Sequence, residues 1–268
     1  MLACMCVRLT VLASGSKGNS AVIASSRTRL LVDAGLSCRE TLKRMSTAGE
    51  DPQALTGILI SHEHSDHVAG LRVLARKLKV PVYMTAATNE MWARQCGKQE
   101  THLDRLEPFS SGHSFQIGDI QVTPFTIPHD AADPVAFAFR VEGVKLAIVT
   151  DLGYMPASVR DNIRDSDLLM VESNHDLEML RIGRYPWSVK QRVMSRVGHL
   201  SNAALAEFFA SDYDGNAAFV VLAHLSEENN HPEIARDAAE RALAPRRSLL
   251  RNRLMLASQG QVLEPIRL

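Results

Sequence analysis

Residues 57–70 read GILISHEHSDHVAG, and the His62-x-His64-x-Asp66-His67 run inside them decides how the rest of the chain is read. The run follows a short apolar stretch, Ile58-Leu59-Ile60, that reads as a strand. In an extended segment residues i and i+2 point to the same side, so His62 and His64 can grip one cation together. Asp66 and His67 fall where the periodic positions Val68, Leu71, Leu74 and Leu78 begin, a pattern that predicts an amphipathic helix over 67–78. Their side chains therefore leave in another direction, and one tight turn can hold two metals side by side. The plain alternative is a polar strand-to-helix turn with Asp66 as its N-cap. Four ligand-type side chains crowded at this spacing argue against it.

Two cations need more donors than one turn supplies. His129 follows the strand-like Val122–Ile127, Asp151 follows Leu146–Val149, and His224 follows Phe219–Leu222. Each sits where a loop leaves a strand end, the place where rigid scaffolds carry function. Taken singly, each is equally well a structural histidine or a turn aspartate.

A chain of 268 residues with 46% apolar content can bury a substantial core, and one domain over 1–268 is expected. Lys and Arg (30) balance Asp and Glu (30), so bulk charge implies no affinity for nucleic acid or membrane, and any basic surface must be local. Cys4, Cys6, Cys38 and Cys96 form no disulfide framework and point to reduced thiols in a cytoplasmic setting. Cys4-x-Cys6 is a conceivable metal pair without a partner motif. No apolar run approaches the roughly 18 residues of a membrane helix. The N-terminal stretch has no basic flank and is interrupted by Arg8, so it does not read as a signal peptide. A soluble, intracellular protein without a membrane partner is expected, and its oligomeric state stays open.

Apolar runs predict strands over 7–12, 20–25, 29–33, 57–60, 80–84, 116–127, 135–141, 144–149, 167–171, 217–222 and 252–257. Helical periodicity and start signals such as Ser201-Asn202 and Asn230-His231-Pro232 predict helices over 37–47, 67–78, 86–95, 156–164, 187–197, 201–210 and 231–243. The alternation suggests an α/β fold in four layers, an αββα sandwich of two mixed sheets packed face to face with helices outside. The ligand-rich segments then share one rim.

With these residues in order, the sequence resembles the metallo-β-lactamase superfamily, and within it the YycJ/WalJ-type proteins. The resemblance is carried by LASGSKGNS (12–20), VDAGLS (32–37), ISHEHSDHVAGL (60–71), IPHDAADPV (127–135), TDLG (150–153), ESNHD (172–176), GHLSN (198–202) and AHLSEENN (223–230). It implies the αββα sandwich over the whole chain. It also implies His62, His64 and His129 on one metal, Asp66, His67 and His224 on the other, and Asp151 bridging. The activity it implies is that of a DNA exonuclease.

A nitrogen-rich pair of sites suits two divalent ions, Zn²⁺ first, with Mn²⁺ or Fe as other fits. A water bridging both ions would give up a proton near neutral pH and attack phosphorus. Asp66 could orient that hydroxide. The leaving oxygen needs a proton, and His199 is the candidate donor. It lies in GHLSN, in the region where tRNase Z-like relatives carry a His-Ser-Thr motif with this role, and Glu172 is expected to hold it in place. The competing reading makes His199 part of a helix cap with Ser201 and Asn202. His175 could meet a substrate phosphate or be a solvated side chain. His102, His113 and His231 fit no motif and read as structural.

The polar loop Ser14–Ser20, with Ser16 and Asn19, could present N–H groups and hydroxyls to an anion. It could equally be a plain hairpin loop, and it lacks the spacing of a nucleotide-binding P-loop. Residues 181–197 carry Arg181, Arg184, Lys190, Arg192 and Arg196 with Tyr185 and Trp187 and no acid. Residues 241–253 carry Arg241, Arg246, Arg247, Arg251 and Arg253. Such clusters can track a phosphate backbone, with Arg184 and Lys190 as expected contacts, or can be solvated helix faces.

The expected function is a dinuclear metal-dependent phosphodiesterase, a 5′-to-3′ DNA exonuclease. A phosphodiesterase for a small cyclic or linear phosphate ester is the alternative, and lactam or thioester hydrolysis ranks third. Redox di-iron relatives carry an acid in place of a first-motif histidine and a fused flavin domain, neither of which is present. Only residues 130–150 lie between His129 and Asp151, too few for the long arm of tRNA-processing relatives.

Overall fold

The computed structural model describes residues 7–97, 103–246 and 253–268. Cys4, Cys6, Arg247 and Arg251 lie outside the described residues, and Cys38 and Cys96 are free thiols.

In chain order the elements are β1 (Arg8–Ala13), β2 (Ser20–Ala24), β3 (Arg29–Val32), α1 (Cys38–Thr47), β4 (Gly57–Leu59), α2 (Ser65–Val68), α3 (Leu71–Leu78), β5 (Val82–Thr85), α4 (Ala86–Cys96) and β6 (Leu106–Phe109). They continue with β7 (Phe115–Ile117), β8 (Ile120–Thr126), β9 (Val135–Val141), β10 (Val144–Val149), α5 (Ala157–Ile163), β11 (Leu168–Glu172), α6 (Leu177–Ile182) and α7 (Trp187–Val193). The chain closes with α8 (Asn202–Ser211), β12 (Phe219–Ala223), α9 (Pro232–Leu243), β13 (Arg253–Leu256) and β14 (Ile266–Arg267).

Two seven-stranded sheets result, ordered β14-β1-β2-β3-β4-β5-β6 and β13-β12-β11-β10-β9-β8-β7. Each is antiparallel in one half and parallel in the other: β3 to β6 run parallel in the first sheet, β10 to β13 in the second. Period-two alternation explains the packing. Leu30 and Val32, with Leu146, Ile148 and Met170, join one core between the sheets. Leu31 turns outward onto Met45, Leu71, Leu74 and Trp92 of the helices on the first sheet. Ala147, Val149, Leu169 and Val171 turn outward onto Val159, Leu205, Phe208 and Phe209 on the second. Strands covered on both faces must be apolar at nearly every position, which is why they read as unbroken runs. The four-layer αββα sandwich is therefore as expected.

Three elements differ from expectation. The helix expected over 67–78 is two, α2 and α3, because Gly70 is drawn onto the loop after β3, its N–H donating to Ala34 O at 2.8 Å. The strand expected over 116–127 is the hairpin β7–β8, turned at Gly118, whose φ of +58° favours a residue without Cβ. The helix expected over 187–197 ends at Val193. The short β6, β14 and α6 carry too few residues to show a period. No helix among the described residues is long and apolar enough to cross a membrane.

Candidate metal centre

The candidate donors leave the C-terminal ends of β4 in one sheet and of β8, β10 and β12, alternate strands, in the other. His62, His64, Asp66 and His67 follow β4, while His129 follows β8. Asp151 follows β10 and His224 follows β12. The first-motif turn is clamped to two loops: Asn19 N–H, between β1 and β2, donates to Asp66 O at 2.7 Å, and Ala34 N–H, after β3, to His67 O at 2.8 Å. Gly35 permits this approach, since a Cβ there would lie 1.6 Å from Asp66 O.

Tertiary structure draws these residues into two groups sharing a wall. His62, His64 and His129 form one, Asp66, His67, Asp151 and His224 the other, and within each group the ligand atoms all lie within 4.8 Å of one another. His129 Nε2 sits 3.1 Å from His64 Nδ1. His67 Nε2 lies 3.3 Å from Asp151 Oδ2, and His224 Nε2 lies 3.4 Å from Asp66 Oδ2.

The donor set fits divalent cations on two counts. His62 Nε2 and Asp151 Oδ2 are buried without a hydrogen-bond partner, a state that is costly unless an ion satisfies them. Carboxylates also dominate the local field. Burial opposes charge on His67 and His224, yet Asp33, Asp151 and Asp66 around the first, and Asp151, Asp66 and Glu172 around the second, raise their proton affinity well above the ordinary value. Groups that stabilise a buried imidazolium stabilise a metal cation equally well. Burial pushes the His62 and His129 imidazoles below their ordinary value, leaving them neutral, the form in which histidine binds metal.

Side chains behind the donors fix their orientation. Asp33 Oδ2 accepts from His67 Nδ1 at 2.8 Å, and Asp33 Oδ1 accepts Ser61 N–H at 2.8 Å. Ser61 Oγ lies 3.0 Å from His62 Nδ1. Such partners set the tautomer and aim of a ligating histidine. Asn174 Nδ2 donates to His224 O at 2.9 Å, and Ser14 Oγ accepts His224 N–H at 2.8 Å. Asp33, Ser61, Ser14 and Asn174 were not singled out from sequence, because a supporting role depends on which ring each meets. Backbone strain also gathers here: Asp33, Asp151 and His224 have φ of +60°, +63° and +53°, half of the six non-glycine residues with positive φ among those described.

Glu172 and His199 meet as expected, Oε1 accepting from His199 Nδ1 at 2.8 Å, and His199 remains partly open to solvent. The same oxygen accepts from His224 Nδ1 at 2.8 Å. The helix cap is made by Ser201, whose side chain accepts Ala204 N–H at 3.1 Å, so the capping reading of His199 falls away.

Several expected substrate contacts are corrected. Lys190 is buried, its ammonium donating to Arg181 O and Gly183 O at 2.7 Å each, so it ties helix to turn and does not face a substrate. His175 is 1% exposed, and burial lowers its pKa to about 4, so it is neither solvated nor a cationic phosphate contact. Asn19 is buried against two of the candidate donors, with Nδ2 3.1 Å from Asp66 Oδ2 and from His67 Nε2. The Ser14–Ser20 loop spends most of its backbone donors internally: Gly15 N–H reaches Asn19 Oδ1, Lys17 N–H reaches Gln259 Oε1, and Gly18 N–H reaches Gly15 O. It is not an anion nest, and Ser16 is its exposed polar tip beside Lys17. Arg184 is exposed.

This fold and this donor set define a metal-dependent hydrolase. A family profile described as Beta-lactamase superfamily domain matches residues 28–225, and the chain belongs to that family. Among individual proteins, it is 42% identical over 239 residues to Exodeoxyribonuclease YycJ of Bacillus anthracis, covering 89% of this chain and 90% of that one. It is 36% identical over 230 residues to Exodeoxyribonuclease WalJ of Streptococcus pneumoniae, covering 85% of each. Among solved structures, the metallo-β-lactamase fold protein YhfI from Bacillus subtilis superposes with a TM-score of 0.72 at 18% identity, over 97% of this chain and 99% of that one.

Proposed function

We propose that this protein is a DNA exonuclease that works from a 5′ end with two divalent ions, zinc being the best fit to so many nitrogen donors. The observation that carries the reading is the placement of His199, on Glu172, beside the donor group of Asp66, His67, Asp151 and His224. The 42% identity to a protein named as an exodeoxyribonuclease agrees with it.

His62, His64 and His129 would hold one ion, Asp66, His67 and His224 the other, with Asp151 between them. Bound there, the ions would activate water and neutralise charge on the phosphoryl group. The remaining steps belong to the chain. Glu172 holds the Nδ1–H of His199, which leaves Nε2 as the atom that delivers a proton to the departing oxygen. Burial would raise the Glu172 carboxyl, but His199 and His224 pull it down to about 2, so it stays ionised and keeps His199 protonated. Asn19, within reach of Asp66 Oδ2, steadies that carboxylate. The exposed hydroxyl of Ser16, in a loop tied to Asp66 through Asn19, would be the group of that loop to meet a terminal 5′-phosphate.

Incubation of metal-loaded protein with 5′-labelled and 3′-labelled duplexes tests this: early release of the 5′ label is expected, and early release of the 3′ label would overturn the direction. A small phosphate diester is the second reading. It is favoured by the internal use of cationic groups, Lys190 on backbone carbonyls and Arg192 on Asp130 at 2.5 Å. Robust hydrolysis of a small diester without DNA cleavage would put that reading first.

A further inference from the structure

The chain leaves the metal centre at Glu172 and returns to it at His199, and the segment between them is unlike the rest of the surface. Within α6 and α7 only Leu180 and Lys190 are buried. Of the eight large hydrophobics that stand exposed among the described residues, Leu177, Ile182, Trp187, Val189, Met194 and Val197 all lie here, Ile182 at 75% and Trp187 at 62% exposure. Apolar surface gathered in this way marks an interaction site.

The segment is anchored to the centre at several points. Asp130 N–H donates to Val197 O at 3.1 Å, and His199 N–H to Val193 O at 2.9 Å. Gly153, two residues beyond Asp151, lies so close that a Cβ there would be 2.3 Å from Arg196 C. Lys190 binds α7 to the turn after α6. The apolar surface is thus held in register with the donors.

Its charge indicates the occupant. Residues 179–197 contain no acid, and exposed Arg184 has no carboxylate partner among the described residues. Arg181 is paired with Glu178 and Arg192 with Asp130, which leaves Arg184 as a cation that this face offers a partner. Duplex DNA offers phosphates outside but keeps its base faces stacked within. An unpaired strand offers both, flat apolar bases and the phosphates between them. We propose that the α6–α7 segment is a platform for unpaired DNA, with Trp187 stacking on a base and Arg184 meeting a phosphate, so that the enzyme engages a single-stranded or frayed end. This rests on the nuclease reading above.

The chain has two tryptophans; Trp92 is buried and Trp187 exposed, so a quench of intrinsic fluorescence by a stacking ligand reports on Trp187. Titrating the metal-loaded enzyme with a phosphorothioate oligothymidylate should quench that signal. Trp187→Ala should weaken binding by about 10-fold, within the range of one lost stack, and Trp187→Phe should recover most of it. Degradation of ordinary single-stranded DNA should fall in parallel. If the wild type degrades DNA while Trp187→Ala binds and degrades equally well without any quench, the platform is refuted and the nuclease reading stands. If the wild type neither binds nor degrades DNA, that reading has failed first. A loss that Trp187→Phe does not recover, with a lowered Tm, would assign Trp187 a structural role instead. A dimer that Trp187→Ala dissociates without changing DNA binding would give the surface to a second copy and overturn the proposal.

Discussion

Glu172 holds His199 and its neighbour with both carboxylate oxygens: Oε1 accepts from the His199 ring at 2.8 Å, and Oε2 accepts the N–H of the next residue, Leu200, at 3.0 Å. The same carboxylate also meets His224 Nδ1 at 2.8 Å and Leu152 N–H at 3.0 Å. One buried group therefore positions a candidate metal donor, the expected proton donor and the residues that follow Asp151 and His199. This separates two variants. His199→Ala should retain full metal content and fold while slowing DNA hydrolysis by about 10²–10⁴-fold, the usual loss for a general acid. A diester with a nitrophenolate leaving group should recover much of that loss. Glu172→Gln should slow DNA hydrolysis and in addition bind metal about 10–100-fold more weakly through His224. Metal titration of both variants, beside rates on the two substrates, checks the contrast. Equal damage on both substrates in His199→Ala would remove the proton-donor role.

Two ions per chain are expected in protein purified without chelator. His62→Ala and His67→Ala should each lose metal and activity together, since each removes a donor outright. Activity of the wild type should disappear with chelation and return when the ion is restored. Elemental analysis of folded protein is the measurement, and a single ion under metal-replete conditions would end the dinuclear reading.

Asp33 touches His67 and not the expected ion, so its effect should appear in affinity. Asparagine tolerates the left-handed backbone at this position, φ +60°, and keeps one acceptor oxygen. Asp33→Asn should weaken metal binding by about 10–100-fold. At saturating metal most of the turnover should return. A turnover defect that saturating metal cannot repair would show that Asp33 acts on the chemistry itself.

Far from the site, Glu50 is buried under β1, accepting from Arg8 Nε at 2.7 Å and from Thr10 Oγ1 at 2.8 Å. Burial alone would raise its carboxyl, but the Arg8 and Thr10 donors hold it below the ordinary value. A carboxyl depressed in the folded state contributes stability above its unfolded pKa and loses it as pH falls through the folded one. Glu50→Gln should cost about 2–3 kcal/mol at neutral pH, less than a fully buried pair because Arg8 is partly hydrated. Denaturant melts should show the gap between the two proteins shrinking below about pH 4. A gap independent of pH would mean that shape at Glu50 matters and charge does not.

The layers and the candidate donors are legible in the order of residues alone. Strands buried on both faces must be apolar throughout, so Leu146–Val149 and Phe219–Leu222 were legible as runs, and the residues that end those runs, Asp151 and His224, were legible as rim positions. His62, His64, Asp66 and His67 could be read because their spacing is local. Partners that meet only through the fold were decided by tertiary structure. Asp33 reaches His67 and Glu172 reaches His224 across strand ends distant in sequence, and no periodicity records such a meeting; the pairing of Glu172 with His199 was expected from the family resemblance alone. Lys190 shows the same limit in reverse: its charge suggested a phosphate contact, but its ammonium is spent on two carbonyls of the preceding turn. A side chain's chemistry is written in the sequence, whereas the groups that satisfy it are chosen when the two sheets close on a shared core and bring their loops to one rim.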